Sequence, residues 1–284
     1  MKLIVSLFIL ISSIGFSQSD TTELQFETKY FNAVDKWVAF PKKEVDTSYT
    51  FGFIYIDEQA GFTFDYHSNF INTENGLKII PRTFEAGLKS RLSPNTMDVA
   101  VLTDKQVSEL ELETEPDWLA IYKRNSEETE YLKNIGFHYN AVGASNLALE
   151  PLKKAYSQDP HFIGLEFELA YAYNALGKYN EAIEVLDKAI ENDPEIFWFY
   201  RELGFSYKNI GQIEKAETIY KQGIKLTDDN AQKAEMAINM AQAYYLQKNK
   251  EKFDEWAKLT RKFTDESSIF NQYIDTWEEK LNNE

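Results

Sequence analysis

His67, His138 and His161 are the only imidazoles in 284 residues, and no cysteine accompanies them. None of the three has a partner at metal-ligand spacing, so each reads first as a packing or surface residue. The chain contains no Gly-x-Ser-x-Gly, no glycine-rich phosphate loop and no His-Glu-x-x-His. The sequence signatures of the common serine hydrolases, nucleotide binders and zinc peptidases are therefore missing. Without cysteine there is no thiol catalysis, no thiolate zinc site and no disulfide. With 46 Asp and Glu residues, carboxylate pairs arise by chance and none nominates a glycosidase couple. Glu109, Glu111, Glu113, Glu115 and Asp117 alternate with Leu110, Leu112 and Thr114. That run lacks the glycine and the irregular ligand spacing of a calcium loop and reads as a solvated edge or linker. No catalytic residue, cofactor or metal is expected.

A formal charge of −16 disfavours nucleic acid and anionic bilayers, which select clustered Lys and Arg. A basic or neutral protein partner is easier to accommodate, and the acidity also keeps a chain in solution. Residues 1–17 have the anatomy of a secretory signal: Lys2, an apolar run from Leu3 to Ile14, then Gly15-Phe16-Ser17. The apolar run is too short to span a bilayer, which takes about 20 residues. No cysteine is present for lipid attachment. The expectation is an exported chain, periplasmic or extracellular and soluble, with no membrane insertion after signal cleavage and with a net charge of −17 once Lys2 is removed.

The elements that would position any binding residue differ between the two halves. From about Asp20 to Leu112 the pattern is extended. Tyr49, Phe51, Phe53 and Tyr55 alternate; Asp57-Glu58-Gln59-Ala60-Gly61 reads as a turn; Phe62, Phe64 and Tyr66 alternate with Thr63, Asp65 and His67. Two period-2 runs joined by a short loop that ends in Gly predict a β-hairpin. Seven rings on one hairpin face read as core or, alternatively, as a platform for a glycan or peptide. Lys36 to Phe40 and Asp98 to Leu102 are further expected strands. Thr103-Asp104-Lys105-Gln106 has the form of a capping box ahead of a short helix, and a second short helix is expected from Trp118 to Lys123.

From Thr129 onward one pattern returns at an interval of 34 residues. Gly136, Tyr139, Gly143, Ala148, Ala155 and Pro160 become Ala170, Tyr173, Gly177, Ala182, Ala189 and Pro194. They then become Gly204, Tyr207, Gly211, Ala216, Gly223 and Asp228. Within each copy the apolar residues fall at helical spacing in two runs, such as Leu165, Leu169, Tyr173 and then Ala182, Val185, Leu186, Ala189. Gly143, Gly177 and Gly211 suit the left-handed backbone that ends a helix, and Pro160 and Pro194 stop the second run. Small residues keep the second helix thin where the first approaches. The pattern resembles the tetratricopeptide repeat, a helix-turn-helix unit that stacks into a solenoid. A degenerate fourth copy retains Ala241, Tyr244, Phe253 and Ala257, and Ile269, Tyr273 and Trp277 mark a last helix as a cap.

The expected architecture is a β-rich α+β domain at 18–125 and a right-handed all-α solenoid at 126–264. Its units are 129–162, 163–196, 197–230 and a degenerate 231–264, and a capping helix follows at 265–284. The resemblance implies that the first helix of each unit lines a concave groove. The implied groove residues are Lys133, Phe137 and Asn140, then Phe167, Tyr171 and Asn174, then Arg201, Phe205 and Lys208. Some relatives hold a peptide carboxylate with a Lys and an Asn at the first and second of these positions. Here Lys133 matches but Phe137 replaces the Asn, so the aromatic stripe suits an extended peptide or a helix with apolar anchors. The resemblance thus implies a non-enzymatic scaffold or adaptor for a protein or peptide. Two alternatives stand: an enzyme with its site in residues 20–125 or at the domain interface, favoured by a polar cleft with perturbed carboxylates or a buried His67, and a glycan or small-ligand binder using the aromatic hairpin face.

Overall fold

A computed structural model describes residues 23–83 and 86–283; the expected signal at 1–17 lies outside the described residues. The strands Lys36–Ala39 (β1), Tyr49–Asp57 (β2), Gly61–Thr73 (β3), Gly76–Ile80 (β4), Leu88–Arg91 (β5) and Ala100–Val101 (β6) form one antiparallel sheet in the order β4-β3-β2-β1-β6. The long β3 pairs with β5 along its first half and with β4 along its second. The short helices Asp104–Glu109 (α1) and Leu119–Tyr122 (α2) follow. Thr103 and Gln106 close the expected capping box on α1.

The turn between β2 and β3 is built by Asp57, whose Oδ1 accepts from the amides of Gln59 and Ala60, both at 3.0 Å. The resulting register pairs Phe53 with Asp65, Ile54 with Phe64, Tyr55 with Thr63 and Ile56 with Phe62. Directly opposed residues share a face, so the expectation of seven rings on one face is corrected. Phe51, Phe53 and Tyr55 lie on one side with Trp37, Phe70, Leu102, Leu110 and Leu119. Phe62 and Phe64 lie on the other with Tyr30, Val38, Ile54, Ile56 and Val99. Five of these rings, Phe51, Phe53, Tyr55, Phe62 and Phe64, are at most 6% exposed, which removes the hairpin face as a ligand platform. A bulge interrupts the register between Phe51 and Gly52, leaving His67 without an opposite residue. Gly52 is required beside it, because a Cβ there would lie 2.1 Å from the Asp65 carbonyl.

The remaining elements are helices paired as the spacing predicts: Thr129–Ala141 (α3) with Ser145–Gln158 (α4), Leu165–Ala175 (α5) with Tyr179–Asn192 (α6), and Phe197–Asn209 (α7) with Ile213–Leu226 (α8). Asn230–Leu246 (α9) and Lys250–Lys262 (α10) form the degenerate pair, and Ile269–Asn283 (α11) packs on both. Helices adjacent in sequence pack together, and α3, α5, α7 and α9 also touch in succession, which is the geometry of a stacked array. Ala148, Ala182 and Ala216 are fully buried. A Cβ on Gly136 would meet Leu152 at 2.3 Å and one on Gly204 would meet the Tyr220 ring at 2.6 Å. These small residues are what allow each pair of helices to close.

Three joints hold the array together. Asn140 Nδ2 donates to the Glu168 carbonyl (2.9 Å) and to its Oε2 (2.8 Å), and Asn174 Nδ2 repeats the arrangement on Glu202 at 3.1 and 2.9 Å. Burial pushes the Glu168 carboxyl above its ordinary value despite the bond from Asn140. Between the third pair and the degenerate one the joint changes character. Glu217 accepts from Lys221 Nζ (2.7 Å), Lys252 Nζ (3.0 Å), the Tyr244 hydroxyl and Trp256 Nε1 (3.3 Å). Burial acts to raise the Glu217 carboxyl, but the bonds from Lys221, Tyr244 and Lys252 outweigh it and hold the pKa at about 2.

At its other end the array begins on the sheet. Ile135 and Tyr139 of α3, with Val142 just past its end, pack with Phe62 and Phe64, and the Phe62 and Tyr139 rings meet edge-to-face at 5.4 Å. His138 Nε2 lies 2.8 Å from the Glu58 carbonyl and Asn134 Nδ2 donates to the Glu58 carboxylate at 3.0 Å. Lys123 is paired with Asp35 at 2.6 Å. Leu169, the equivalent of Ile135 one interval later, belongs instead to the helical core that holds Leu132, Ala148 and Leu152 of the preceding pair. The sheet therefore occupies the place of a preceding repeat.

Candidate functional site

The nine residues implied to line a groove divide by exposure. Phe137 and Tyr171 are 46% and 37% exposed. Phe167, Phe205, Lys133 and Lys208 are half-buried. Asn140 and Asn174 are buried in the joints just described. Their Glu partners follow each by 28 residues, so a repeated Asn-to-Glu spacing was available in the sequence as a sign of this packing role.

Two of the three groove cations, Arg201 and Lys208, are already committed. Arg201 gives Nε and Nη2 to Glu202 Oε1 at 3.1 and 2.8 Å and Nη1 to Gln232 at 2.9 Å, with Glu235 at 3.6 Å. Its guanidinium stacks over the rings of Trp198 (4.6 Å) and Phe167 (5.6 Å). Lys208 Nζ donates to Asn239 (2.7 Å) and Gln242 (3.1 Å) above the Phe205 ring. Burial lowers the Lys208 pKa. Together, Tyr171, Asn174, Tyr179, Arg201, Phe205 and Glu235 surround a recess of about 380 Å³, with Tyr220 and Asn239 also on its wall. The structure thus brings the residues of the second and third repeats together. Lys133, Phe137 and Asn140 are not part of that recess.

A second recess lies on the sheet, around the His67 that the enzyme alternative singled out. The bulge turns His67 against the rings of Trp37 and Phe51, 5.3 and 5.1 Å away. Asp65, Ser68, Arg82 and Trp118 complete a cleft of about 460 Å³. Burial raises the Asp65 pKa against the opposing pull of Lys89 and Arg82. Burial and then Arg82 lower that of His67. Beside the cleft, Lys89 Nζ donates to the hydroxyls of Tyr55 (3.1 Å) and Tyr122 (3.0 Å) and lies 4.5 Å from the Trp118 ring. A bulge at His67 leaves no mark in the alternation of residue types, so only the register could disclose it. Of the other histidines, His138 belongs to the joint with the sheet, and His161 Nδ1 lies 2.8 Å from Glu166 Oε1. Among the described residues no cluster of three or more His, Asp or Glu is placed to hold a metal ion. No helix among them is long and apolar enough to cross a membrane.

A TPR-repeat profile matches residues 170–211 and a tetratricopeptide-repeat profile matches residues 200–230. No curated protein matches the chain. Among solved structures, a thermophilic TPR protein of Thermus thermophilus is similar at 21% identity over 55% of this chain and 84% of that one, with a TM-score of 0.47. MamA from Desulfovibrio magneticus is similar at 18% identity over 51% and 77%, with a TM-score of 0.43. A further MamA structure gives 23% identity over 59% and 88%, with a TM-score of 0.43. Tetratricopeptide repeats support a protein-interaction scaffold, and residues 170–230 of this chain are tetratricopeptide repeats.

Proposed function

We propose that this chain is an exported, non-enzymatic adaptor that holds a segment of a basic or neutral protein against the face shared by α3, α5, α7 and α9. In this reading residues 18–125 form a domain that seats the first repeat, 126–264 form the docking array and 265–284 cap it. Export rests on the signal anatomy of residues 1–17. The observation that carries the docking role is the exposure of Phe137 and Tyr171. These rings stand one 34-residue interval apart on the face that the sheet leaves uncovered. Exposed aromatic side chains at regular spacing are the usual anchors of a peptide interface.

The test is capture of a partner from envelope extract by the mature protein, compared with the Phe137→Ser/Tyr171→Ser double variant. Capture should fall about tenfold or more while the melting curve stays close to that of the parent, since neither ring belongs to the core. Equal capture by both proteins would refute the assignment. The cleft around Asp65 and His67 supports a second reading, a small polar ligand held between Trp37 and Trp118. A rise in melting temperature on adding a small polar ligand that is lost in His67→Gln but kept in the double variant would favour that reading.

A further inference from the structure

The recess between the second and third repeats has an unusual floor. Tyr220 of α8 is fully buried over Gly204, yet its hydroxyl has no hydrogen-bond partner among the described residues. Buried hydroxyls are almost always partnered, and this one is carried by a residue that lines an accessible recess. Its charged neighbours are Glu202 and Glu235 on the one hand and Arg201 on the other. With Lys208 bonded to Asn239 on the same wall, two carboxylates face two cations, and what separates them is how firmly each is held. The Glu202 carboxylate is spent on Arg201 and Asn174. The Glu235 carboxylate is 44% exposed and only loosely engaged by Arg201, at 3.6 Å.

An anionic guest would have to displace Glu202 from Arg201, or Asn239 and Gln242 from Lys208. A cation displaces no hydrogen bond and competes only with the 3.6 Å contact of Arg201 with Glu235. We propose that this recess takes the side chain of a lysine or arginine from an extended segment of the partner protein. The aliphatic stem lies among Tyr171, Tyr179 and Phe205, and the charged head donates to the Tyr220 oxygen and the Glu235 carboxylate. Long basic side chains bury their stems against apolar surface and keep their heads on polar groups, and cations favour ring faces. The overall charge of −16 steers a basic segment toward the chain. The inference rests on the docking reading above and adds to it the chemistry of one anchor.

The test is selection of random phage-displayed dodecapeptides on the full chain, followed by fluorescence polarisation with the selected peptides. Selected peptides should share a Lys or Arg at one position. Replacing it with norleucine should weaken binding about tenfold, Glu235→Gln should do the same, and Tyr220→Phe should weaken binding about threefold or more without lowering the melting temperature. Peptides that lose affinity for the Phe137→Ser/Tyr171→Ser variant but have no fixed basic position overturn the basic anchor and leave the docking face standing. Peptides indifferent to both sets of changes, or no selected peptide, overturn both.

Discussion

Glu217→Gln tests the joint between the third repeat and the degenerate pair. The carboxylate is only 12% exposed and gathers two ammonium groups, a phenol and an indole from α8, α9 and α10. A glutamine keeps the shape and can still accept from Tyr244, but it loses the charge that Lys221 and Lys252 satisfy. A fall in pKa from 4.5 to about 2 corresponds, at 1.36 kcal/mol per tenfold change in proton affinity, to about 3 kcal/mol. The Lys221 and Lys252 side chains are 46% and 37% exposed, so solvent screening reduces this to about 2 kcal/mol. The folded-state pKa is depressed, so the contribution is complete above about pH 4.5 and disappears as the pH falls toward about 2. Urea unfolding of parent and variant should therefore differ by about 2 kcal/mol near pH 7 and coincide near pH 2. Hydrogen exchange should locate the loss in α9 and α10, because stacked repeats can open regionally. A difference below about 0.5 kcal/mol near pH 7, or one that survives unchanged in acid, would refute the account of this carboxylate.

Two further outcomes follow from the array. Asn174→Ala removes both bonds to Glu202 and the acceptor of the Ser206 hydroxyl, which lies 2.6 Å away, and should cost about 2–3 kcal/mol in denaturant unfolding; an unchanged midpoint would show that the joint is dispensable. Ala182→Leu places a larger side chain at a fully buried contact and should cost about 1–3 kcal/mol by thermal melting, so a melt at or above that of the parent would contradict the close approach of α5 and α6.

The helical half was legible because its constraints are local and repeated. Gly143, Gly177 and Gly211 each adopt the positive φ that the sequence implied, at +77°, +70° and +78°. In the degenerate copy Lys248 takes the same conformation at φ +56°. Ala241, Tyr244, Phe253 and Ala257 of that copy are buried as the offsets require. The aromatic stripe was also visible, while the bonds of the Asn140 and Asn174 amides to Glu168 and Glu202 were not, and Asn174 makes its bond while lining the recess. The sheet was legible only in part. Whether Phe62 shares a face with Tyr55 or with Ile56 depends on the parity of a turn, and a shift of one residue reverses every side chain. The strand β5 escaped notice because Leu88–Arg91 is exposed throughout, with none of the alternation that marks a half-buried strand, whereas the short β4 does alternate, with Leu77 buried and Lys78 exposed. The cleft at His67 depends on both that edge and the bulge, so nothing local announced it.

The seating of α3 on the sheet gives the stack a fixed first floor. A rod of identical units is open-ended and can add copies or join another rod end to end. Here the lower surface is occupied by Phe62 and Phe64, and α11 rests on the uppermost pair. Lengthening or shortening by a whole 34-residue storey is therefore confined to the interior, where the first two joints repeat one Asn–Glu arrangement. Such an edit would alter how long a guest the wall can hold while leaving foundation and roof untouched.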